Sequence, residues 1–170
     1  MFKYLRLTVV TMVGGFLVSC AESPKSQLGS AAHGHRMQVR TTAYTRSEGG
    51  GHHNAIGTHL SGRQVRSAAS DWSRFPLGTR FRVIGSEEQY IIDDYGTALI
   101  GTNTIDLYKP SRLEMKRWGV RRVDIDVLEW GSREQSLKVL APRAKHSIVR
   151  RMMGALQENS STVLATGTVD

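Results

Sequence analysis

The chain of 170 residues is poor in three things, and each shortage excludes something. It has one cysteine, Cys20, so no disulfide can staple its fold. It has no apolar run long enough for a membrane span, because the longest, Leu7 to Val18, is well short of the roughly 20 residues a helical crossing needs. It is short of acids, with 15 Asp and Glu against 23 Lys and Arg, a net charge of +8. The length allows one core with tails rather than two domains. A composition of 39% hydrophobic and 22% charged residues excludes wholesale disorder.

The ends are organised. Lys3 and Arg6, the apolar run and the small residues at its exit have the layout of a secretory signal over residues 1–19. The exit Leu17-Val18-Ser19-Cys20 resembles the lipobox of bacterial lipoproteins, which implies acylation of Cys20 and a stable anchor. Ala21 after the cysteine favours the outer membrane where there are two. Loss of the signal removes two of the eight net positive charges and leaves +6. Outside the cytoplasm, such a surface meets lipid headgroups and wall carboxylates before nucleic acid, which is not expected as a partner. Residues 20–36 read as a flexible tether, and a chain with no second core is expected to be a monomer. His33 with His35, and His52-His53 with His59, lack any spacing that fixes a metal site, so neither metal nor cofactor is expected.

Between the tails, short alternating runs read as half-buried strands. They are Met37–Tyr44, Arg80–Ile84 and Arg122–Val127, with the more apolar Gln89–Ile92 and Thr104–Leu107 as inner strands. Five or six such strands predict a small barrel over residues 37–131. Ser111 with Glu114 is a capping box for a short helix that Gly119 should stop, with Leu113 and Trp118 packed on the barrel. In the basic extension 132–170, an apolar stripe including Ile148, Val149, Met152 and Leu156 predicts a second helix near Pro142–Leu156. It either docks on the domain or lies on membrane or wall polymer.

The chemistry concentrates in Asp93-Asp94-Tyr95-Gly96-Thr97-Ala98-Leu99-Ile100-Gly101, followed by Ile105-Asp106-Leu107-Tyr108. With Asp71-Trp72 and Pro76-Leu77-Gly78-Thr79 upstream and Trp118-Gly119 downstream, this resembles the three-aspartate (3D) domain and the catalytic barrel of membrane-bound lytic transglycosylase A. The resemblance, from about Thr42 to Trp130, implies a mainly β fold: a six-stranded double-psi β-barrel with one or two short helices, acting on peptidoglycan glycan strands. It implies Asp71, Asp94 and Asp106 as the three aspartates, Asp106 being the catalytic acid. Tyr44, Tyr95 and Gly96 are candidate substrate contacts. Asp93 should face away from Asp94 in an extended chain and receives no role.

Lytic transglycosylases can work with one acid, because the substrate's own C6 hydroxyl attacks the anomeric carbon and closes a 1,6-anhydro ring. Asp106 would then need a raised pKa, from apolar neighbours or from Asp94. Two positions depart from the family's pattern. Thr97 replaces a glycine, and the separation of 12 between Asp94 and Asp106 is one residue longer than usual, which reads as an insertion at Thr102 or Asn103. An extra residue in the strand instead would turn Asp106 away. Two rival readings are a peptidoglycan-binding module that does not cut, with Trp72 as a further stacking surface, and a structural lipoprotein whose basic tail recruits an envelope protein.

Overall fold

Side-chain alternation builds the interior. In a computed structural model describing residues 35–48 and 51–166, Phe81 with Val83, Ile105 with Leu107 and Ile125 with Val127 are buried as pairs two residues apart, with exposed or half-buried residues between them. The signal sequence, Cys20 and most of the tether lie outside the described residues. Six strands result: β1 (His35–Tyr44), β2 (Val65–Ala69), β3 (Arg80–Val83), β4 (Gln89–Asp94), β5 (Thr104–Tyr108) and β6 (Arg121–Glu129). They close into a barrel in the order β1-β5-β2-β4-β3-β6. The pairs β1–β5 and β2–β4 are parallel and the other four antiparallel, so the fold is a closed, mixed six-stranded barrel, in keeping with the double-psi barrel that the family resemblance implies.

Among the described residues three α-helices accompany the barrel, where one or two are expected from the sequence: α1 (Arg112–Trp118), α2 (Arg133–Leu140) and α3 (Ser147–Thr166). In α1, Ser111 accepts from the Glu114 N–H and Gly119 (φ +61°) ends the helix. Leu113 is exposed rather than packed, and Trp118 alone reaches the barrel, its indole donating to Thr41 Oγ1 at 3.1 Å. The helix expected from Pro142 begins at Ser147. Pro142 instead lies in the 3-10 turn Ala141–Arg143, which directly follows α2.

The apolar stripe of the extension faces the barrel. Leu140, Val149, Met152 and Leu156 are each 2% exposed or less and join the core around Trp72. Met152 Sδ accepts from the Trp72 N–H at 3.3 Å, and Arg151 Nη2–H donates to the Ile100 carbonyl at 3.0 Å. At the start of the extension, Gly131 runs so close to the Pro76–Thr79 turn that an added Cβ would lie 2.3 Å from the Leu77 carbonyl oxygen. Only glycine fits there.

Candidate functional site

Strand pairing assembles the site. Ala69 of β2 is in register with Asp94 of β4 on one side and with Asp106 of β5 on the other, and Asp106 is in register with Thr42 of β1. Ala68 and Ile105 beside them are in the core, so Asp94, Ala69, Asp106 and Thr42 form one row across the outer face of four strands. One strand spacing is about 5 Å, so the two aspartate Cα atoms are about 10 Å apart, with only a methyl group between them.

A bulge adds a third carboxylate. The register of β2 with β4 shifts between Ala68, which faces Ile92, and Ala69, which faces Asp94, so Asp93 is the extra residue. A bulge breaks the rule that consecutive side chains face opposite ways. Asp93 is therefore drawn under the site: its Oδ2 accepts from Ser67 Oγ at 2.7 Å and from Asn54 Nδ2 at 2.9 Å, while its buried Oδ1 has no partner.

All three acids hold their protons more tightly than usual. Burial lifts Asp94 to about 6, with the charge of Asp93 adding to it and the Tyr95 N–H and Arg143 opposing it. Burial also raises Asp106, opposed by the Thr42 hydroxyl, which donates to Oδ1 at 2.6 Å. The carboxylate that adds to this effect is Glu48 of the β1–β2 loop, not Asp94 as anticipated, because two strand spacings weaken the latter's field. Burial raises Asp93 as well, its Ser67 and Asn54 donors opposing. Tyr44 lies within electrostatic reach of Asp93, Asp94 and Asp106. Its phenol is raised by burial and then by those charges, and its buried hydroxyl has no hydrogen-bond partner.

Asp71 is built differently. It is 2% exposed, and both oxygens are occupied: Oδ1 by the Ser73 N–H and Oγ, Oδ2 by the Gly101 N–H at 2.6 Å. It pins the β4–β5 loop to the β2–β3 loop, and Gly101, at φ +85°, takes a conformation that side chains resist. The two departures from the family's pattern leave the row intact. Thr97 opens the 3-10 turn Thr97–Leu99, a helical backbone that does not call for glycine. β5 runs in unbroken register with β1 from Thr104 to Tyr108, so Asp106 pairs with Thr42, and Thr102 Oγ1 donates to the Leu99 carbonyl in the turn before the strand.

Of the expected contacts, Tyr95 and Asp94 line one cavity with His53, Asn54, Ala55 and Arg143. Tyr44 stands on the same face as Asp106, edge-on to Tyr108 at 5.6 Å. Gly96 caps the neighbouring 3-10 turn. Trp72 is fully buried, its indole donating to the Asp94 carbonyl, and offers no stacking surface. Sequence reasoning passes over Thr42, Glu48, Asp93 and Arg143. His53 and His59 face each other at 4.3 Å, and among the described residues no three His, Cys, Asp or Glu side chains converge as metal ligands would. A second polar cluster, Lys109 bonded to Glu88 and Tyr90 beneath Trp118, is mutually satisfied.

The fold and the row of acids define a small double-psi barrel with carboxylates on its outer face. Residues 66–129, from β2 to the end of β6, match the family model of the 3D domain. The chain is 34% identical over 94 residues, 54% of its length, to the cell wall-binding protein YocH of Bacillus subtilis (strain 168), covering 32% of that relative. It is 36% identical, again over 94 residues, to the putative cell wall shaping protein YabE of the same organism, covering 23% of it. The chain thus spans a third or less of each. β1 and the extension lie outside the family match.

Proposed function

We propose that this protein is a cell-envelope enzyme that cleaves the MurNAc–GlcNAc bond of peptidoglycan as a lytic transglycosylase, with Asp106 as the general acid and base. The observation that carries the reading is the row itself: Asp94 and Asp106 flank Ala69 on one outer face, and burial raises the pKa of both. Protonated Asp106 gives its proton to the glycosidic oxygen as the bond to the anomeric carbon breaks. The substrate's C6 oxygen bonds to that carbon, and the Asp106 carboxylate takes the C6 hydroxyl proton, leaving the enzyme as it began. In this reading Asp94 and Tyr95 contact the sugar from the cavity they line, with Tyr44 and Gly96 as further contacts. Asp71 holds the β4–β5 loop that frames the groove. Cys20 carries the lipid anchor, on the outer membrane where there are two, and the protein acts as a monomer on glycan strands.

The second reading, a module that binds peptidoglycan without cutting it, is favoured by the names of the two relatives, one a binding and one a putative shaping protein. Incubating the protein and Asp106→Ala with purified peptidoglycan, followed by mass spectrometry of the released fragments, separates the two. Anhydro-ended products from the unaltered protein alone support the enzyme. Co-sedimentation of both proteins with no released fragments supports the binding module.

A further inference from the structure

The C-terminal extension brings an arginine into the groove. Arg143 ends the 3-10 turn after α2, and two carbonyls fix its guanidinium: Nη1–H donates to Val139 at 2.9 Å and Nη2–H to Ala55 at 2.6 Å. The group is half-buried, its Cζ lies 6.0 Å from the centre of the Tyr95 ring, and it lines the same cavity as Asp94. Among the described residues no carboxylate lies within ion-pair distance of it. Carbonyl oxygens orient a guanidinium but do not neutralise it, and three of its five N–H donors remain uncommitted. A planar cation, held in place and bordering a cavity, matches a carboxylate with two parallel hydrogen bonds.

We propose that Arg143 receives a carboxylate of the glycan strand, so that the extension, which lies beyond the 3D match, makes the groove prefer carboxylate-bearing peptidoglycan to neutral polysaccharide. The inference rests on the wall-binding part of the reading above and holds whether or not the bond is cut. Two carboxylates share the required chemistry: the acids of the stem peptide in intact sacculi, and the lactyl acid of the muramic sugar on strands whose peptide has been removed, since the peptide otherwise holds that group as an amide.

The test measures binding of the full protein to purified peptidoglycan sacculi and to sacculi whose carboxylates have been converted to neutral amides. Amidation should weaken binding by the unaltered protein about tenfold or more, the size of one lost charged hydrogen-bonded contact. Arg143→Gln should be weakened by a similar factor on native sacculi and be nearly indifferent to amidation, with Arg143→Lys in between. Arg112→Gln, which removes an exposed charge on α1, should behave as the unaltered protein and so exclude a general loss of positive charge. Strands stripped of peptide by an amidase, which frees the lactyl acid, then separate the two sources: binding as strong as to native sacculi shows that Arg143 accepts the freed lactyl acid, and binding reduced to the level of amidated sacculi assigns the carboxylate to the stem peptide.

If the unaltered protein is indifferent to amidation, the inference falls, and that arm needs no variant to fold. It falls equally if a folded Arg143→Gln stays as sensitive as the unaltered protein. Absence of binding to any sacculus by any of the proteins would overturn the wall-binding reading itself, a different result from binding that ignores carboxylates.

Discussion

Thr42 Oγ1 donates to Asp106 Oδ1 at 2.6 Å across the parallel pair β1–β5, so the first strand of the barrel sets the acidity of a carboxylate 64 positions away. This hydrogen bond favours the charged form and opposes the burial that raises Asp106. Thr42→Val removes the donor while keeping the shape. The pKa of Asp106 should then rise further, and because a general acid must be protonated, the alkaline limb of the pH–rate profile should move to higher pH. An unmoved limb would assign that limb to another group.

Asp106→Asn should lower the rate of anhydro-product release by about 10²–10⁴, the usual contribution of a general acid. The side chain stands on the outer face and is not part of the core cluster, so the fold should survive the change. Single-turnover assays alongside a melting curve separate lost chemistry from lost fold.

Asp94 should be a liability to the fold at neutral pH. Its folded pKa of about 6 lies above the ordinary carboxylate value, so the native state binds the proton more tightly than the unfolded chain does. Stability from this group is therefore full below about pH 4 and is lost as pH rises through 6. Asp94→Asn should stabilise the protein at pH 7.5 by on the order of 1–2 kcal/mol, allowing for solvent screening of a half-buried group, and by almost nothing at pH 4. Urea titrations at the two pH values measure the difference.

Asp71 should behave as a structural residue. Asp71→Ala leaves the Gly101 N–H and the Ser73 donors without their carboxylate and should cost about 2–4 kcal/mol, read from chemical denaturation. Any loss of activity should follow the loosened β4–β5 loop, appearing mainly as a raised KM.

The extension should be inseparable from the barrel. Leu140, Val149, Met152 and Leu156 complete the core around Trp72, so a chain ending at Gly131 should be unfolded or aggregated. Met152→Ala alone should cost about 2–5 kcal/mol, as large-to-small core changes do. Circular dichroism melts of both variants check this.

What could be read from the sequence follows from how local each signal is. Strands β1, β3 and β6 alternate, β4 and β5 are short apolar runs between turn residues, and α1 carries its own cap, so each announces itself. β2 does not, because Ser67, Ala68 and Ala69 are all buried and the period of two is erased. α2 carries a readable signal in Ser132, which caps it, and in Glu134 of its first turn, but the one helix expected in the extension corresponds to α3, which begins at Ser147. Asp93 escaped because a bulge is a property of two paired strands, and one strand's sequence does not contain it. Arg143 and Glu48 reach the site through tertiary packing, and no spacing near Asp94 or Asp106 points to either.

Closure of the barrel has a consequence for how any polymer can be gripped. A sheet with a free edge can take up a partner by adding a strand, but this ring has no free edge to offer. Recognition must therefore run through side chains standing on the wall of the ring and through the loops at its rims. On that wall the strands act as a ruler: the Asp94 and Asp106 backbones are set two ladder steps apart, an interval that loop movement cannot stretch. A ligand that spans both acids has to match that interval, and selection can reshape the rims for new ligands while the graduation of the ruler stays as it is.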